Sequence, residues 1–275
     1  MEIGNIMLDI FEMMEGIKKR RPFIYQIANF VSANDCANAV LALGATTVMS
    51  QAPEELEEIL IHADSLVFNL GIPSADKIEV IIKAGIIANK LGIPVVLDPV
   101  GCGSTMFRKQ AVEKILQMVR VSVIRGNFSE ILFLSNRQTD FTGVDSGATD
   151  NQDVFIKTKE TAQRFHCVVV ATGEKDIITD GKRTYICSNG CPEMSALTGT
   201  GCICSALIGA FISDKSGTLL ESTAGAVAFM GISGECAWEE NMNAGYGHFH
   251  MGLFDWFSRM RKEVILERSR LYEVI

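Results

Sequence analysis

Short apolar runs alternate along the chain with longer segments in which apolar positions recur at helical spacing. The runs of strand length are residues 65–69, 93–98, 121–124 and 167–171, and each stands beside a segment with helical periodicity. Strands that are apolar throughout are buried on both faces, as they are in parallel sheets. The pattern therefore predicts an α/β fold in which a mostly parallel sheet is covered by helices.

Capping and turn residues define two of these elements more closely. Ser74 is a suitable N-cap for a helix over Ala75–Leu91, and Gly92 is suited to end it. Asp180 and Gly181 lie between two arms of alternating apolar residues, which is typical of a β-hairpin. We therefore expect an antiparallel hairpin beside the parallel strands.

Composition limits the class of protein. The chain has 275 residues, of which 48% are hydrophobic, so it can bury a large core. Its six prolines are scattered and mark no linker, which favours one domain over residues 1–275. The formal net charge of -8 disfavours binding to nucleic acid or to an anionic membrane surface.

Cysteine usage and the first residues bear on the compartment. The eight cysteines form no CxxC pair and have no spacing that completes a zinc site, so we expect reduced thiols and no structural zinc. The first 21 residues place acidic side chains among the apolar ones and the basic cluster last, which is the wrong order for a secretory signal. No apolar stretch is long enough to cross a bilayer. These features predict a cytoplasmic protein without a membrane span.

The first candidate site follows the run at residues 93–98. Asp98 ends this run and could hold a cation, and Gly101 and Gly103 permit close approach of the backbone to a ligand. The alternative is a turn in which Asp98 only caps a helix. Met106 stands where GxGxxG requires its third glycine, and GxxxxGK[ST] is absent, so neither dinucleotide nor Walker-type binding is indicated.

Two further junctions carry polar residues just after apolar runs. Arg125 would present a guanidinium suited to phosphate oxygens. Asn127 and Glu130 have the spacing of a capping box, which leaves a purely structural interpretation open. Thr172 and Gly173 place a hydroxyl and a flexible residue after the run at 167–171.

The most specific junction precedes the apolar segment 203–212, which predicts a buried helix. Gly199, Thr200 and Gly201 would expose consecutive backbone N–H groups at the helix start, forming an anion hole with the helix dipole. Cys202 would lie in the first turn, where the pKa of a thiol is lowered, and could accept a proton from a substrate hydroxyl. The alternative role for Cys202 is a small packing residue.

Five segments together resemble the hydroxyethylthiazole kinases, ribokinase-like enzymes of thiamine salvage. They occur in the order of that family, between about Pro22 and Phe254, and their combination is far more specific than any single glycine loop. The segments are NDCANAVLALGATTVM (34–49), VLDPVGCGST (96–105), IRGNFSEI (124–131), ATGEKD (171–176) and LTGTGC (197–202).

The resemblance implies a three-layer ribokinase-like α/β fold and ATP-dependent phosphorylation of the hydroxyl of 4-methyl-5-(2-hydroxyethyl)thiazole. It also implies Mg²⁺ as cofactor and a homotrimer with sites between subunits. Transferred position by position, it implies that Arg125, Thr172 and Asn127 bind ATP and that Asp98 and Glu130 bind the metal. It implies that the thiazole is bound by Met49, Gly199, Asn29 and Gly71. The residues implied to act in catalysis are Cys202, Gly199, Thr200 and Gly201.

Four positions depart from the pattern of that family, and they lie near the expected acceptor pocket. Tyr25 stands where histidine is usual, Ala28 and Ile72 where threonine is usual, and Ala196 where lysine is usual. A kinase of a pyrimidine or pyridoxal alcohol is therefore the nearest alternative, to be separated by a panel of alcohols. A lyase that dehydrates a hydrated nicotinamide nucleotide would have aspartate at Cys202. A thiazole-binding protein without activity would show saturable binding and no turnover.

Overall fold

A computed structural model describes residues 3–135, 151–214 and 217–274. Nine strands in these ranges form one sheet. In chain order they are β1 (Phe23–Ile27), β2 (Thr46–Met49), β3 (Ser65–Asn69), β4 (Val95–Asp98), β5 (Val123–Asn127), β6 (Val168–Thr172), β7 (Asp176–Thr179), β8 (Thr184–Cys187) and β9 (Leu271–Val274).

The sheet has a parallel part and an antiparallel part. Its order is β2-β1-β3-β4-β5-β6-β7-β8-β9. The strands from β2 to β6 are parallel, and β7, β8 and β9 are added antiparallel at the other edge. Because the parallel strands all point the same way, their carboxyl ends meet at one edge of the sheet.

Helices cover both faces of the sheet, in agreement with the predicted three layers. They are α1 (Ile3–Arg20), α2 (Ala33–Leu43), α3 (Leu56–Leu60), α4 (Ala75–Leu91), α5 (Met106–Met118), α6 (Phe128–Ser135), α7 (Asn151–Phe165), α8 (Thr200–Ile212), α9 (Leu219–Asn241), α10 (Tyr246–Arg259) and α11 (Lys262–Arg268). Helices α1, α2 and α8 to α11 contribute to one buried cluster, and α3 to α7 contribute to the other.

Alternation along the strands explains why two cores form. Val123 packs into the cluster on the α8 side, and the next residue, Ile124, packs into the cluster on the opposite side. The same division separates Val168 from Val169. Successive side chains of a strand point to opposite faces, so a run of apolar residues supplies both layers at once.

Several predicted elements are confirmed. Ser74 Oγ accepts a hydrogen bond from the Lys77 amide at 3.1 Å and so caps α4, and Gly92 ends that helix at φ 72°. The hairpin is present as β7 and β8. Residues 203–212 are buried within α8, as predicted.

Three strands differ in bounds from their predicted runs: β4 begins at Val95, β6 covers Val168–Thr172, and β5 departs furthest. The apolar run 121–124 gave the wrong bounds for β5, which starts at Val123 and continues through Asn127. Arg125 is therefore part of the strand, because the ladder with β6 continues to the pair of Asn127 with Thr172.

All eight cysteines are free. Among the described residues, no helix combines the length and the apolar character that crossing a membrane requires.

Candidate functional site

Polar side chains collect where the parallel strands end. Asn69 ends β3, Asp98 ends β4 and Thr172 ends β6, while Arg125 lies two residues before the end of β5. Met49 ends the edge strand β2. Ligands of open α/β sheets bind outside the carboxyl ends of the strands, so this edge is the candidate site.

Asp98 is the buried charge at the centre of this edge. Its carboxylate is 1% exposed, and Oδ2 accepts hydrogen bonds from Asn69 Nδ2 at 3.1 Å and from Ser205 Oγ at 2.9 Å. Burial raises the pKa of Asp98 to about 6, although the Arg125 guanidinium acts in the opposite direction. Oδ1 has no hydrogen-bond partner within the described residues, and a buried oxygen of this kind normally has one.

Arg125 is held in place next to Asp98. Its Nη2 donates to Thr172 Oγ1 at 2.9 Å, and its Nη1 lies 3.9 Å from Asp98 Oδ2. Helix α8 passes directly over the guanidinium at Gly201, where an added Cβ would lie 2.5 Å from Nη1. A side chain at that position would have to displace the partly buried guanidinium, so the sequence requires glycine there.

Within the described residues, the first turn of α8 has backbone N–H groups without a hydrogen-bond partner beside this guanidinium. Gly199 is the N-cap with φ 95°, a conformation that glycine adopts without strain, and it makes no side-chain capping bond. The amides of Thr200, Gly201 and Cys202 precede the first intrahelical hydrogen bond, which runs from Ile203 N to Gly199 O. Consecutive N–H groups at the positive end of a helix dipole can bind an anion.

Cys202 corrects one prediction. Its Sγ accepts hydrogen bonds from Asn69 Nδ2 at 3.1 Å and from Asn29 Nδ2 at 3.6 Å. Burial and the nearby Asp98 carboxylate raise the pKa of Cys202, so the prediction of a lowered value was wrong. Desolvation of the thiolate outweighs the amide donors, Arg125 and the position at the helix start.

Asn69 connects the thiol with the carboxylate and was not identified from sequence. Its Nδ2 contacts both Cys202 Sγ and Asp98 Oδ2, and its Oδ1 accepts from Asn29 Nδ2 and from the Gly71 amide, each at 2.8 Å. The only sequence signal was its place as the last residue of a buried run that ends at the predicted ligand edge.

Glu130 forms the predicted capping box with Asn127. Glu130 Oε2 accepts from the Asn127 amide at 2.8 Å, and Asn127 Oδ1 accepts from the Glu130 amide at 2.9 Å. Glu130 Oε1 also accepts from the Gly101 amide at 2.7 Å, which ties the loop after β4 to the start of α6.

Asp98 and Glu130 fit a magnesium site that is completed by other ligands. Asp98 Oδ1 is unpartnered among the described residues, and each Glu130 oxygen is held by a single backbone amide. The described ranges contain no group of three or more His, Cys, Asp or Glu residues that could hold a metal. Mg²⁺ commonly binds one or two carboxylates and takes its remaining ligands from water and substrate phosphates.

A cavity of about 640 Å³ opens on one side of the α8 start. Predicted residues in its lining are Arg125, Thr172, Thr200 and Gly201, whereas Asn127 does not line it. Burial raises the pKa of Asp176, another lining residue, to about 6.

The far wall of this cavity was not predicted. Asn189 and Gly190 form part of it. Asn189 Nδ2 donates to the carbonyl of Arg268 at 2.8 Å, and its Oδ1 accepts from the Arg270 amide at 2.7 Å. The Gly190 amide donates to Glu235 Oε1 at 2.6 Å. Residues near the end of the described chain therefore hold this wall.

Asn29, Gly71 and Gly199, which were predicted to bind the acceptor, lie on the side of the α8 start away from the cavity. We call this the acceptor side. Asn29 is in hydrogen-bond contact with Asn69 and Ser32 through its Nδ2, and an added Cβ at Gly199 would lie 3.1 Å from Ser32 Cβ. Gly71 lies against Asn29 and Asn69, which both contact Cys202 Sγ. Met49 packs instead against the core cluster on the α8 face and has no hydrogen bond to this group.

Lys77 lies next to the loops of the acceptor side, and the sequence analysis did not identify it as a site residue. It is 4% exposed, and its Nζ donates to the carbonyls of Ala28 and Gly71, each at 3.0 Å. Burial lowers the pKa of Lys77 to about 8. A lysine next to Asp76 in the first turn of an amphipathic helix gives no sign of burial in the sequence.

Because the Lys77 ammonium is buried, we expect the free energy of unfolding of the wild type, relative to that of Lys77→Met, to depend on pH. The pKa of Lys77 is about 8 in the folded chain and about 10.4 in the unfolded chain. Between these values the unfolded chain binds more protons, so stability rises with pH. Relative to Lys77→Met, the wild-type free energy of unfolding should gain on the order of 2 kcal/mol from pH 8 to pH 10.

Urea titrations of both proteins across this range check that expectation. The difference between the two proteins removes the contributions of the other titrating groups. A difference that stays constant with pH would show that the Lys77 ammonium is not desolvated in the folded chain.

Comparison with solved structures assigns the fold. A ribokinase-like superfamily protein from Enterococcus faecalis superimposes with a TM-score of 0.62 at 14% identity over 88% of each chain, a likeness of fold alone. The chain thus has the ribokinase-like fold. A helix start facing a partly buried arginine and a buried carboxylate at the ligand edge of such a sheet suits the transfer of a phosphoryl group, as in a phosphotransferase.

Sequence relatives give the particular family. The model of the hydroxyethylthiazole kinase family matches residues 14–263. A hydroxyethylthiazole kinase from Clostridium botulinum (strain Alaska E43) is 40% identical over 98% of each chain. The solved hydroxyethylthiazole kinase of Pyrococcus horikoshii superimposes with a TM-score of 0.88 at 38% identity, covering 98% of this chain and 100% of that one. The chain belongs to the hydroxyethylthiazole kinase family.

Proposed function

We propose that this protein transfers the γ-phosphoryl group of ATP to the hydroxyl of 4-methyl-5-(2-hydroxyethyl)thiazole. Membership of the family supports the substrate pair. The structural observation that carries the proposal is the placement of the α8 start: Gly201 lies against Arg125 on one side, and Cys202 contacts Asn69 and Asn29 on the other. A phosphoryl group that moves from the Arg125 side to the Cys202 side would pass the backbone amides of the first turn of α8.

ATP occupies the cavity lined by Arg125, Thr172 and Gly201 in this proposal. The guanidinium is fixed by Thr172, so it does not have to reorganise when charge develops on the transferring group. The amides of Thr200, Gly201 and Cys202 stabilise the same charge. Positioning and electrostatic stabilisation are the main requirements of phosphoryl transfer.

Asp98, through its unpartnered Oδ1, and Glu130 would hold Mg²⁺. When bound, the ion would supply positive charge at the phosphate oxygens. The protein's own part is to keep Asp98 ionised and oriented, through Asn69, Ser205 and Arg125.

Cys202 faces the acceptor hydroxyl in this arrangement. Because its pKa is raised, the thiol keeps its proton in the free protein. The transition state of phosphoryl transfer is loose, so the hydroxyl proton leaves late, once the new O–P bond has largely formed. The thiol can take up that proton only after it has released its own to solvent, so Cys202 acts mainly by placing the acceptor hydroxyl, and most of the rate comes from the charges around the phosphate.

Cys202→Ala should therefore lower kcat by about 10- to 100-fold, at or below the usual range for general acid–base groups. The KM for ATP should stay within about twofold, because Cys202 contacts the acceptor side. Steady-state kinetics with both substrates varied measure these parameters. Cys167→Ala is the control, since Cys167 is a free cysteine at the amino end of β6, away from the candidate site. An unchanged kcat would remove Cys202 from the mechanism.

The experiment that tests the function is ADP release from Mg-ATP with and without hydroxyethylthiazole. ADP release that depends on the thiazole supports the proposal. Binding of ATP without stimulation rejects this acceptor, and the same assay with pyridoxal and pyrimidine alcohols then examines the alternative kinases. Saturable binding of the thiazole without turnover would indicate a binding protein.

The protein is further proposed to act in the cytoplasm as a homotrimer with its acceptor sites between subunits. The eight free cysteines suit a reducing compartment. Phe30 is 78% exposed and Val31 56% exposed, directly after Asn29 at the acceptor side. Exposed apolar residues beside a binding site are typical of a surface that a second protein surface covers.

Phe30→Ser should weaken the trimer and raise the KM for the thiazole by about tenfold, because losing a buried aromatic at an interface costs on the order of 2 kcal/mol. Sedimentation velocity and acceptor kinetics measure the two effects. Ile61→Ser is the control, since Ile61 is also exposed but precedes the amino end of β3. A monomeric wild-type protein would contradict the proposed trimer.

A further inference from the structure

The buried ammonium of Lys77 joins two loops that belong to different strands. Ala28 lies in the loop between β1 and α2, and Gly71 lies in the loop between β3 and α4. Lys77 Nζ donates to the carbonyl of each at 3.0 Å. Both loops carry residues of the proposed acceptor side.

Each carbonyl that Lys77 contacts belongs to the peptide group that precedes a residue of the acceptor side. The Ala28 carbonyl is part of the peptide that leads into Asn29, which contacts Cys202 Sγ and Asn69 Oδ1. The Gly71 carbonyl is part of the peptide that leads into Ile72. Because a peptide group is planar, fixing its carbonyl limits the dihedral angles of the residue that follows.

Ile72 has a backbone conformation that requires such support. Its φ is 51°, in the left-handed region, which is a real outlier for a β-branched residue. Conformations of this kind persist when the surrounding structure holds them. The ammonium on the Gly71 carbonyl is the nearest such restraint, and it keeps the partly exposed Ile72 side chain at the edge of the acceptor side.

The position of Lys77 is costly and is not explained by an ion pair. In the described ranges, no carboxylate lies within ion-pair distance of its Nζ. Burial of a charge without a counter-ion destabilises a fold. Lys83, two turns further along the same helix, donates to the Pro53 carbonyl from an exposed position and carries no such cost.

We propose that Lys77 is a positioning residue of the acceptor site, which fixes the peptide groups before Asn29 and Ile72 and thereby sets the pocket around Cys202. This inference rests on the proposed function, because the site it shapes is the acceptor side of that reaction. Lys77 acts through the two loops and contacts neither substrate.

Steady-state kinetics of Lys77→Met test this role, with ATP and hydroxyethylthiazole varied separately. Methionine keeps a long unbranched side chain and removes the ammonium. We expect the KM for the thiazole to rise about tenfold or more while the KM for ATP stays within about twofold. Lys83→Met is the matched control, being the same substitution on the same helix, and both of its KM values should equal those of the wild type.

A second variant and a melting curve separate positioning from general stability. Lys77→Gln keeps N–H donors on a shorter, uncharged side chain and should give a thiazole KM between those of the wild type and Lys77→Met. The Tm of Lys77→Met should stay close to the wild-type value, because loss of two hydrogen bonds is offset by removal of a desolvated charge. If Lys77→Met does not fold, the KM split of Lys77→Gln decides the matter.

Three outcomes would overturn the inference. The first is equal change in both KM values, the second is no change in either, and the third is a rise in the thiazole KM that only follows a fall in Tm and also appears in Lys83→Met. Wild-type turnover is measured first. A wild type without thiazole-dependent ADP release refutes the proposed function, whereas an active wild type with an unaffected Lys77→Met refutes only the role of Lys77.

Discussion

Asp98→Asn should lower kcat by about 10³-fold, while the protein stays folded. Asparagine has nearly the same shape and keeps an oxygen for Asn69 Nδ2 and Ser205 Oγ. The variant loses the negative charge that faces Arg125 and the free oxygen that we assign to Mg²⁺. Removing one preorganised electrostatic group from an active site commonly lowers kcat by about 10²- to 10³-fold. The larger loss is expected here because the substitution removes the charge of Asp98 and also a ligand of the proposed Mg²⁺.

Two measurements distinguish this loss from unfolding. The Mg²⁺ concentration at half-maximal activity should rise in Asp98→Asn, and the melting curve should stay cooperative. Ser205→Ala is the control, because it removes one hydrogen bond to Oδ2 and keeps the carboxylate. Its kcat should fall by less than about tenfold, in line with the modest value of one hydrogen bond. An Asp98→Asn variant with nearly full activity would exclude Asp98 from the site.

Arg125→Met is expected to lower kcat/KM for ATP by about 10³-fold. The guanidinium lies between the Thr172 hydroxyl and the Asp98 carboxylate and touches the first turn of α8 at Gly201. Arginines that stabilise transferring phosphoryl groups contribute about 10³- to 10⁵-fold to kcat. The substitution also leaves the Asp98 carboxylate without its buried counter-charge, which favours its protonated form.

Arg120→Met is the matched control for this effect. Arg120 is exposed and precedes β5 at its amino end, so it lies at the opposite edge of the sheet. Its removal should change kcat/KM by less than about twofold. ATP binding measured by calorimetry adds a second readout, in which Arg125→Met should bind more weakly. Equal activities of the two variants would show that Arg125 does not contact the nucleotide.

The buried parallel strands β3 to β6 could be predicted from sequence because their runs are apolar on both faces. The run 65–69 matched β3 for this reason. The edge strand β9 escaped prediction because only Leu271 of its four residues is fully buried, so it shows no apolar run. Its place depends on pairing with β8, which lies more than eighty positions earlier in the chain.

The predicted site residues were those that stand in local motifs. Gly199 and Gly201 stand at the start of a helix that the sequence indicates, and Arg125 directly follows the apolar run that indicates β5. Asn69 and Lys77 could not be found in this way, since their roles arise from contacts with residues far along the chain. Asn69 lies 133 positions from Cys202, and Lys77 lies 49 positions from Ala28.

The predicted direction of the pKa shift of Cys202 was wrong for a related reason. Its place at a helix start is visible in the sequence, but the desolvation and the Asp98 charge that raise its pKa depend on tertiary packing. Local signals therefore placed Cys202 correctly in the first turn of α8 and gave the wrong direction for the shift of its pKa.

The wall formed by Asn189 has a consequence for the order in which the molecule assembles on the ribosome. Asn189 is anchored by the backbone of Arg268 and Arg270, 79 and 81 positions later. Strands β1 to β4 and the loops around Asn29 emerge and can pair long before those residues are synthesised. A nascent chain can thus form the strands that lead to Asn29 and Asn69 first, whereas the wall at Asn189 forms only after residues 268–270 have emerged.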